Sequence, residues 1–140
     1  MLPGSDLTAR VIGLAIGVHR ELGPGLLESV YEECLCHELT VASIPHQRQV
    51  AIPVIYREAH LDAGFRADIL IPPSLILEIK SVEVLAPIHE AQILTYLRMS
   101  GCELGLLMNF NTLRLKDGLR RYGLSKRTGA PSATRPRSSE

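Results

Sequence analysis

Two charges interrupt an otherwise apolar strand, and they constrain the fold more than any other feature. Residues 75–80 read Leu-Ile-Leu-Glu-Ile-Lys. A helix is expected soon after, over 87–100, because Pro87 suits a first helical turn and Gly101 ends the stretch. A strand lying between helical layers is buried on both faces. A carboxylate buried there without a partner is costly. Glu78 and Lys80 inside such a strand therefore point to a site.

The remaining pattern is that of a single α/β domain over residues 1–124. Helices are expected over 6–20, where Val11, Leu14, Ala15 and Val18 recur at helical spacing, and over 26–42, after the break at Gly23-Pro24-Gly25. Residues 47–57 read as extended, with Pro53 marking an edge or bulge. A turn is expected at 58–60, strands over 61–71 and 75–80 joined by the 72–74 turn, and an apolar, central strand over 103–110. Residues 112–122 are basic and fit a short strand or helix. Residues 125–140 are rich in Ser, Pro, Arg, Thr and Gly and read as a disordered basic tail.

The turn at 72–74 sets a register. With Ile71 opposite Leu75, Asp68 falls opposite Glu78 and Arg66 opposite Lys80. Opposed side chains lie about 5 Å apart at Cβ. Two carboxylates so placed repel unless a cation lies between them, and Mg²⁺ takes oxygen ligands while keeping several waters. Lys80, on the same face, could reach a water or a phosphate oxygen. An ordinary alternative is a set of cross-strand ion pairs, Asp68 and Glu78 with Arg66 and Lys80. The two strands alone favour that alternative.

The second helix carries a third acid. On a wheel of about 100° per residue, its apolar arc holds Val30, Cys34, Leu27, Tyr31, Leu35 and Leu39. Glu28 falls within that arc, Glu32 near its edge, and Ser29, Glu33 and Cys36 point away. Glu28 is thus either aimed at the site or a core-rim residue with its head in water.

Composition excludes several classes. No apolar run reaches the roughly 18 residues of a membrane span, and no secretory signal is expected. The three cysteines, an odd count, argue against a disulfide scaffold and for a reduced, cytoplasmic setting. A zinc site at Cys34, Cys36 and His37 is less favoured than ordinary thiols. The net charge of zero hides an asymmetry: residues 1–113 hold 7 basic and 13 acidic side chains (−6), and residues 114–140 hold 8 and 2 (+6). The basic end could run along phosphates or simply be solvated.

These residues also resemble a known family. Gly25-Leu26-Leu27-Glu28-Ser29-Val30-Tyr31 fits the pattern GxxExxY, and it comes after Val18-His19-Arg20-Glu21-Leu22-Gly23-Pro24 as it does in the GxxExxY family of the PD-(D/E)XK nuclease superfamily. Phe65-Arg66-Ala67-Asp68, Leu77-Glu78-Ile79-Lys80 and the run from His89 to Tyr96 fit later motifs of that family. So do Leu106-Leu107-Met108-Asn109-Phe110-Asn111 and Leu115-Lys116-Asp117-Gly118. Ala67 stands where the superfamily's name motif has proline. The resemblance implies a restriction-endonuclease-like core, a mixed central β-sheet flanked by α-helices. It implies Mg²⁺ or Mn²⁺ held by Asp68 and Glu78 with Glu28 nearby, and Lys80 acting on water and phosphate. Gln92 and Tyr96 would border the site. The implied activity is phosphodiester hydrolysis on nucleic acid, DNA foremost, with a homodimer as one way to span a duplex. A non-catalytic binding or accessory module of the same fold is the alternative, favoured by the acidic balance of residues 1–113.

Overall fold

The computed structural model describes residues 5–62, 64–124 and 131–134. In chain order these form helices α1 (Ser5–Leu22) and α2 (Glu28–Val41), then strands β1 (Gln47–Ala51), β2 (Val54–Tyr56), β3 (Ala59–Leu61), β4 (Arg66–Ile71) and β5 (Leu75–Lys80). Next come helix α3 (Pro87–Ser100), β6 (Leu104–Asn109), a 3-10 turn (Leu115–Gly118), β7 (Leu119–Leu124) and β8 (Pro131–Thr134).

Six strands make one mixed sheet in the order β1-β4-β5-β6-β7-β8. Only β5 and β6 run parallel, joined through α3; the other neighbours are antiparallel. This places β5 and β6 in the interior, which explains their nearly unbroken apolar sequence. The helices sit on opposite faces. Val11, Ala15 and Val18 of α1 and Tyr31, Leu35 and Leu39 of α2 share a core with Ile69, Leu77, Ile79 and Met108. Ile93 and Leu97 of α3 share another with Ile76, Leu107 and Tyr122. Successive residues of β5 thus alternate between the two layers, and Glu78 lies on the Ile76 side, under α3.

Several expectations are revised. The 47–57 stretch is two strands, and 58–60 is not only a turn: β2 and β3 form a separate hairpin, Val54↔Leu61 to Tyr56↔Ala59. Its turn has positive φ at Arg57 (46°) and Glu58 (72°), a conformation usually signalled by Asn-Gly, so residue type gave no hint of it. The basic 112–122 stretch holds both a 3-10 turn and a strand. Of the tail expected to be disordered, 125–130 and 135–140 lie outside the described residues, while Pro131–Thr134 pair with β7 as an edge strand. Proline is tolerated at such an edge.

Helix α2 is rotated relative to the expected arc. Its buried residues are Tyr31, Glu32, Leu35, Cys36 and Leu39. Val30 is exposed and Leu27 is 74% exposed. Cys36, expected to point away, faces the core, and burial pushes its thiol up to about 11. All three cysteines are free.

Candidate active site

The site lies where β4 and β5 part. Their pairing runs Ile71↔Leu75, Leu70↔Ile76 and Ile69↔Leu77. One step further, side chains replace the backbone ladder. The Asp68 amide donates to Glu78 Oε1 at 2.9 Å, and the Ile79 amide donates to Asp68 Oδ2 at 2.8 Å. Each carboxylate thus satisfies a backbone donor on the facing strand. The register expected from the 72–74 turn holds from Ile71↔Leu75 to Ile69↔Leu77, and it brings Asp68 and Glu78 together.

Burial makes this pair electrostatically expensive. Glu78 is 3% exposed. Desolvation, then the Asp68 charge, pushes its carboxyl up to about 8. Desolvation raises Asp68 too, against the Ile79 hydrogen bond that lowers it. Lys80 acts on both in the lowering direction but forms no ion pair among the described residues. Arg66 donates to the Gln49 carbonyl at 3.4 Å rather than to a carboxylate. The alternative of cross-strand ion pairs therefore does not describe this hairpin.

Lys80 is positioned through its chain neighbours. Asn109, 2% exposed at the end of β6, accepts from Val82 N at 3.0 Å and donates to Val82 O at 2.9 Å. On the other side, Ser81 N donates to Glu28 Oε2 at 3.2 Å and Ser81 Oγ donates to Leu26 O at 2.6 Å. Gly118 backs this arrangement, since a Cβ there would collide with the Asn109 carbonyl oxygen.

The helical acids divide their positions differently from the expectation. Glu28 opens α2, is exposed, and reaches Ser81 rather than the Asp68–Glu78 pair. Glu32, one turn on, is 7% exposed and raises both Asp68 and Glu78. Gln49 joins it to the site: its Nε2 donates to Glu32 Oε1 at 3.0 Å and to Asp68 Oδ1 at 3.3 Å. Arg48 donates to Glu32 Oε2 from Nη2 at 2.9 Å and from Nε at 3.2 Å, and also pairs with Glu33. Gln49 holds φ at 51°, rare for a non-glycine residue and often found at functional sites. Sequence reasoning left Glu32 at the rim and missed Gln49. A wheel gives a residue's angle but not its height along the helix, and nothing in a glutamine's identity signals positive φ.

From the α3 layer, buried Tyr96 faces the pair; burial first, then Glu78 and Asp68, push its hydroxyl up. Gln92 shares its helix face but is exposed and makes no hydrogen bond among the described residues. His89 caps the helix instead, accepting from the Ala86 amide at 2.9 Å.

The donor set suits a hard divalent cation. It offers oxygen ligands from half-buried Asp68 and buried Glu78, whose ionised forms are stabilised by a positive partner. Mg²⁺ is commonly held by one or two carboxylates while keeping its waters. Among the described residues, no three His, Cys, Asp or Glu side chains gather into a metal cage. Glu28 in particular does not join Asp68 and Glu78 in one.

The sequence pattern of the PD-(D/E)XK nuclease superfamily matches residues 5–122. The chain belongs to the PD-(D/E)XK nuclease superfamily. Its mixed sheet between α1/α2 and α3 is the restriction-endonuclease-like fold of that superfamily. Asp68, Glu78 and Lys80 lie within the matched residues. Nucleases of this superfamily are typically dependent on divalent metals. No curated protein and no solved structure matches the chain significantly. No helix among the described residues is long and apolar enough to cross a membrane.

Proposed function

We propose that this chain is a Mg²⁺- or Mn²⁺-dependent nuclease of the GxxExxY type that hydrolyses phosphodiester bonds, in DNA foremost. The observation that carries the reading is the pairing of half-buried Asp68 with buried Glu78, with Lys80 beside them and free of any ion pair among the described residues. Asp68 and Glu78 would hold the cation, with Glu28 guarding the outer end at Ser81. When bound, such an ion supplies Lewis-acid polarisation of the phosphoryl group and a lowered pKa for water.

The chain's own residues supply the rest. Lys80 orients the attacking water and offsets charge that develops on phosphate. Gln49 and Glu32 hold Asp68 in place. Gln92 would meet the substrate from the exposed face of α3, above Tyr96. Three free cysteines fit a reduced setting such as the cytoplasm. A dimer would let so small a domain span a duplex.

The acidic balance of residues 1–113 favours one second reading, a non-catalytic module that binds nucleic acid or protein on this fold. Cleavage separates the two. Plasmid, linear duplex, single-stranded DNA and RNA are incubated with Mg²⁺ or Mn²⁺ and either wild type or Lys80→Ala. The nuclease reading expects metal-dependent cleavage that the variant loses by about 100-fold or more, as when one charge-stabilising donor is removed. Equal cleavage by both proteins contradicts it. Binding with cleavage by neither favours the module.

A further inference from the structure

Two pockets on the described surface differ in charge. The larger, between α1 and α2, mixes Glu21, Glu33 and Glu38 with Arg48, His37 and His46 and offers a polyanion no uniformly basic wall. The other is a cavity of about 370 Å³ whose lining includes His19, Arg20, Arg114 and Lys116 and no acidic residue. Two parts of the chain converge there, the end of α1 and the turn after β6. His19 ties them together by donating from Nε2 to Thr112 O at 2.8 Å. Arg20 is one of only seven basic residues in the first 113, so its placement beside Arg114 and Lys116 concentrates positive charge in an otherwise acidic body.

The pocket adjoins the site through one turn. Gly23 and Pro24 line it. Tyr31 clamps that turn, its hydroxyl donating to Gly23 O at 2.6 Å and accepting from Leu26 N at 3.1 Å. Leu26 and Glu28 then bind Ser81, next to Lys80. The four chain steps from Pro24 to Glu28 span at most about 14 Å. That matches about four base-pair steps of rise along a duplex axis, at roughly 3.4 Å each.

We propose that Arg20, Arg114 and Lys116 form a backbone-phosphate subsite that holds the nucleic-acid strand beside the catalytic group. The proposal rests on the nucleic-acid reading above. Arginine forks suit phosphate oxygens. The contacts would be independent of sequence, as phosphate contacts are. Asp117, 3.5 Å from Arg114 Nε, holds that guanidinium in an exposed pair that a phosphate can replace.

The test is equilibrium binding of the full chain to labelled duplex and single-stranded DNA, in EDTA, from 50 to 300 mM salt. Arg20→Ala/Arg114→Ala/Lys116→Ala is compared with wild type, and Arg57→Ala, on the β2–β3 turn, is the control. The log–log salt slope is expected to flatten by about 3 in the triple variant and to stay unchanged in the control. Asp117→Asn, which keeps all three cations, is expected to tighten binding 2- to 5-fold, about one weak exposed pair. An unchanged slope in the triple variant, or no DNA binding by wild type at low salt, overturns the proposal. Failure here with cleavage still dependent on Lys80 leaves the nuclease reading standing; loss of that dependence fails the nuclease reading itself.

Discussion

Asp68 and Glu78 are bonded through each other's strands rather than to counter-ions: the Asp68 amide donates to Glu78 Oε1 at 2.9 Å, and Asp68 Oδ2 accepts from the amide next to Glu78 at 2.8 Å. The hydrogen bonds hold the carboxylates in place without neutralising them. That is the arrangement expected of a pair whose charge a proton on Glu78 or a bound cation must offset.

This burial makes stability depend on pH. Glu78 titrates at about 8 in the folded chain, against an ordinary 4.5. Between these values the folded state keeps a proton that the unfolded state has lost, so stability falls as pH rises. Below about 4.5 the contribution is fully present; above about 8 it is lost. Asp68 shifts in the same direction. Urea unfolding in EDTA from pH 5 to 9 should show the decline, and Glu78→Gln should flatten much of it. A wild-type curve that rises over this range contradicts the electrostatic description.

Gln49 should matter more than an exposed strand residue ordinarily does. Its amide lies between Glu32 and Asp68 and its backbone is held at φ 51°. Gln49→Ala leaves two carboxylates without their shared donor. A support of this kind typically changes metal affinity about 10- to 100-fold, with stability changed by about 1 kcal/mol. Calorimetric titration with Mn²⁺ measures the first, thermal unfolding the second. Glu32→Gln should lower the apparent pKa of the Asp68–Glu78 pair, because Glu32 raises both members.

Gly118→Ala tests the support behind Lys80. The added methyl meets the Asn109 carbonyl, and Asn109 holds Val82 with two hydrogen bonds. Overpacking of this kind costs about 1–3 kcal/mol. The expected result is a lower unfolding midpoint together with slower cleavage. Wild-type values for both would show that the turn yields without disturbing the loop.

Much of this was legible in the sequence, for identifiable reasons. The Pro72-Pro73-Ser74 turn leaves little freedom in pairing Ile71 with Leu75, so Asp68 and Glu78 could be set opposite each other from spacing alone. Pro87 and Gly101 likewise delimit α3, which spans Pro87–Ser100 as expected. What stayed hidden depends on tertiary placement. The N-terminal turn of α2 extends past the buried core, so Glu28 lies at Ser81 and Glu32 takes the inner position. Left-handed backbone at Gln49, Arg57 and Glu58 is imposed by packing and pairing, at residues whose types favour no such conformation. The basic pocket joins residues more than ninety positions apart, and no local pattern announces it.

Direct Mn²⁺ binding tests whether the Asp68–Glu78 pair takes a divalent cation. Calorimetry or electron paramagnetic resonance at pH 8 should find one ion bound per chain in wild type. It should find a thermal midpoint that rises with Mn²⁺ concentration, and both effects should be lost in Asp68→Asn. No binding by wild type, or identical binding by wild type and Asp68→Asn, contradicts the claim.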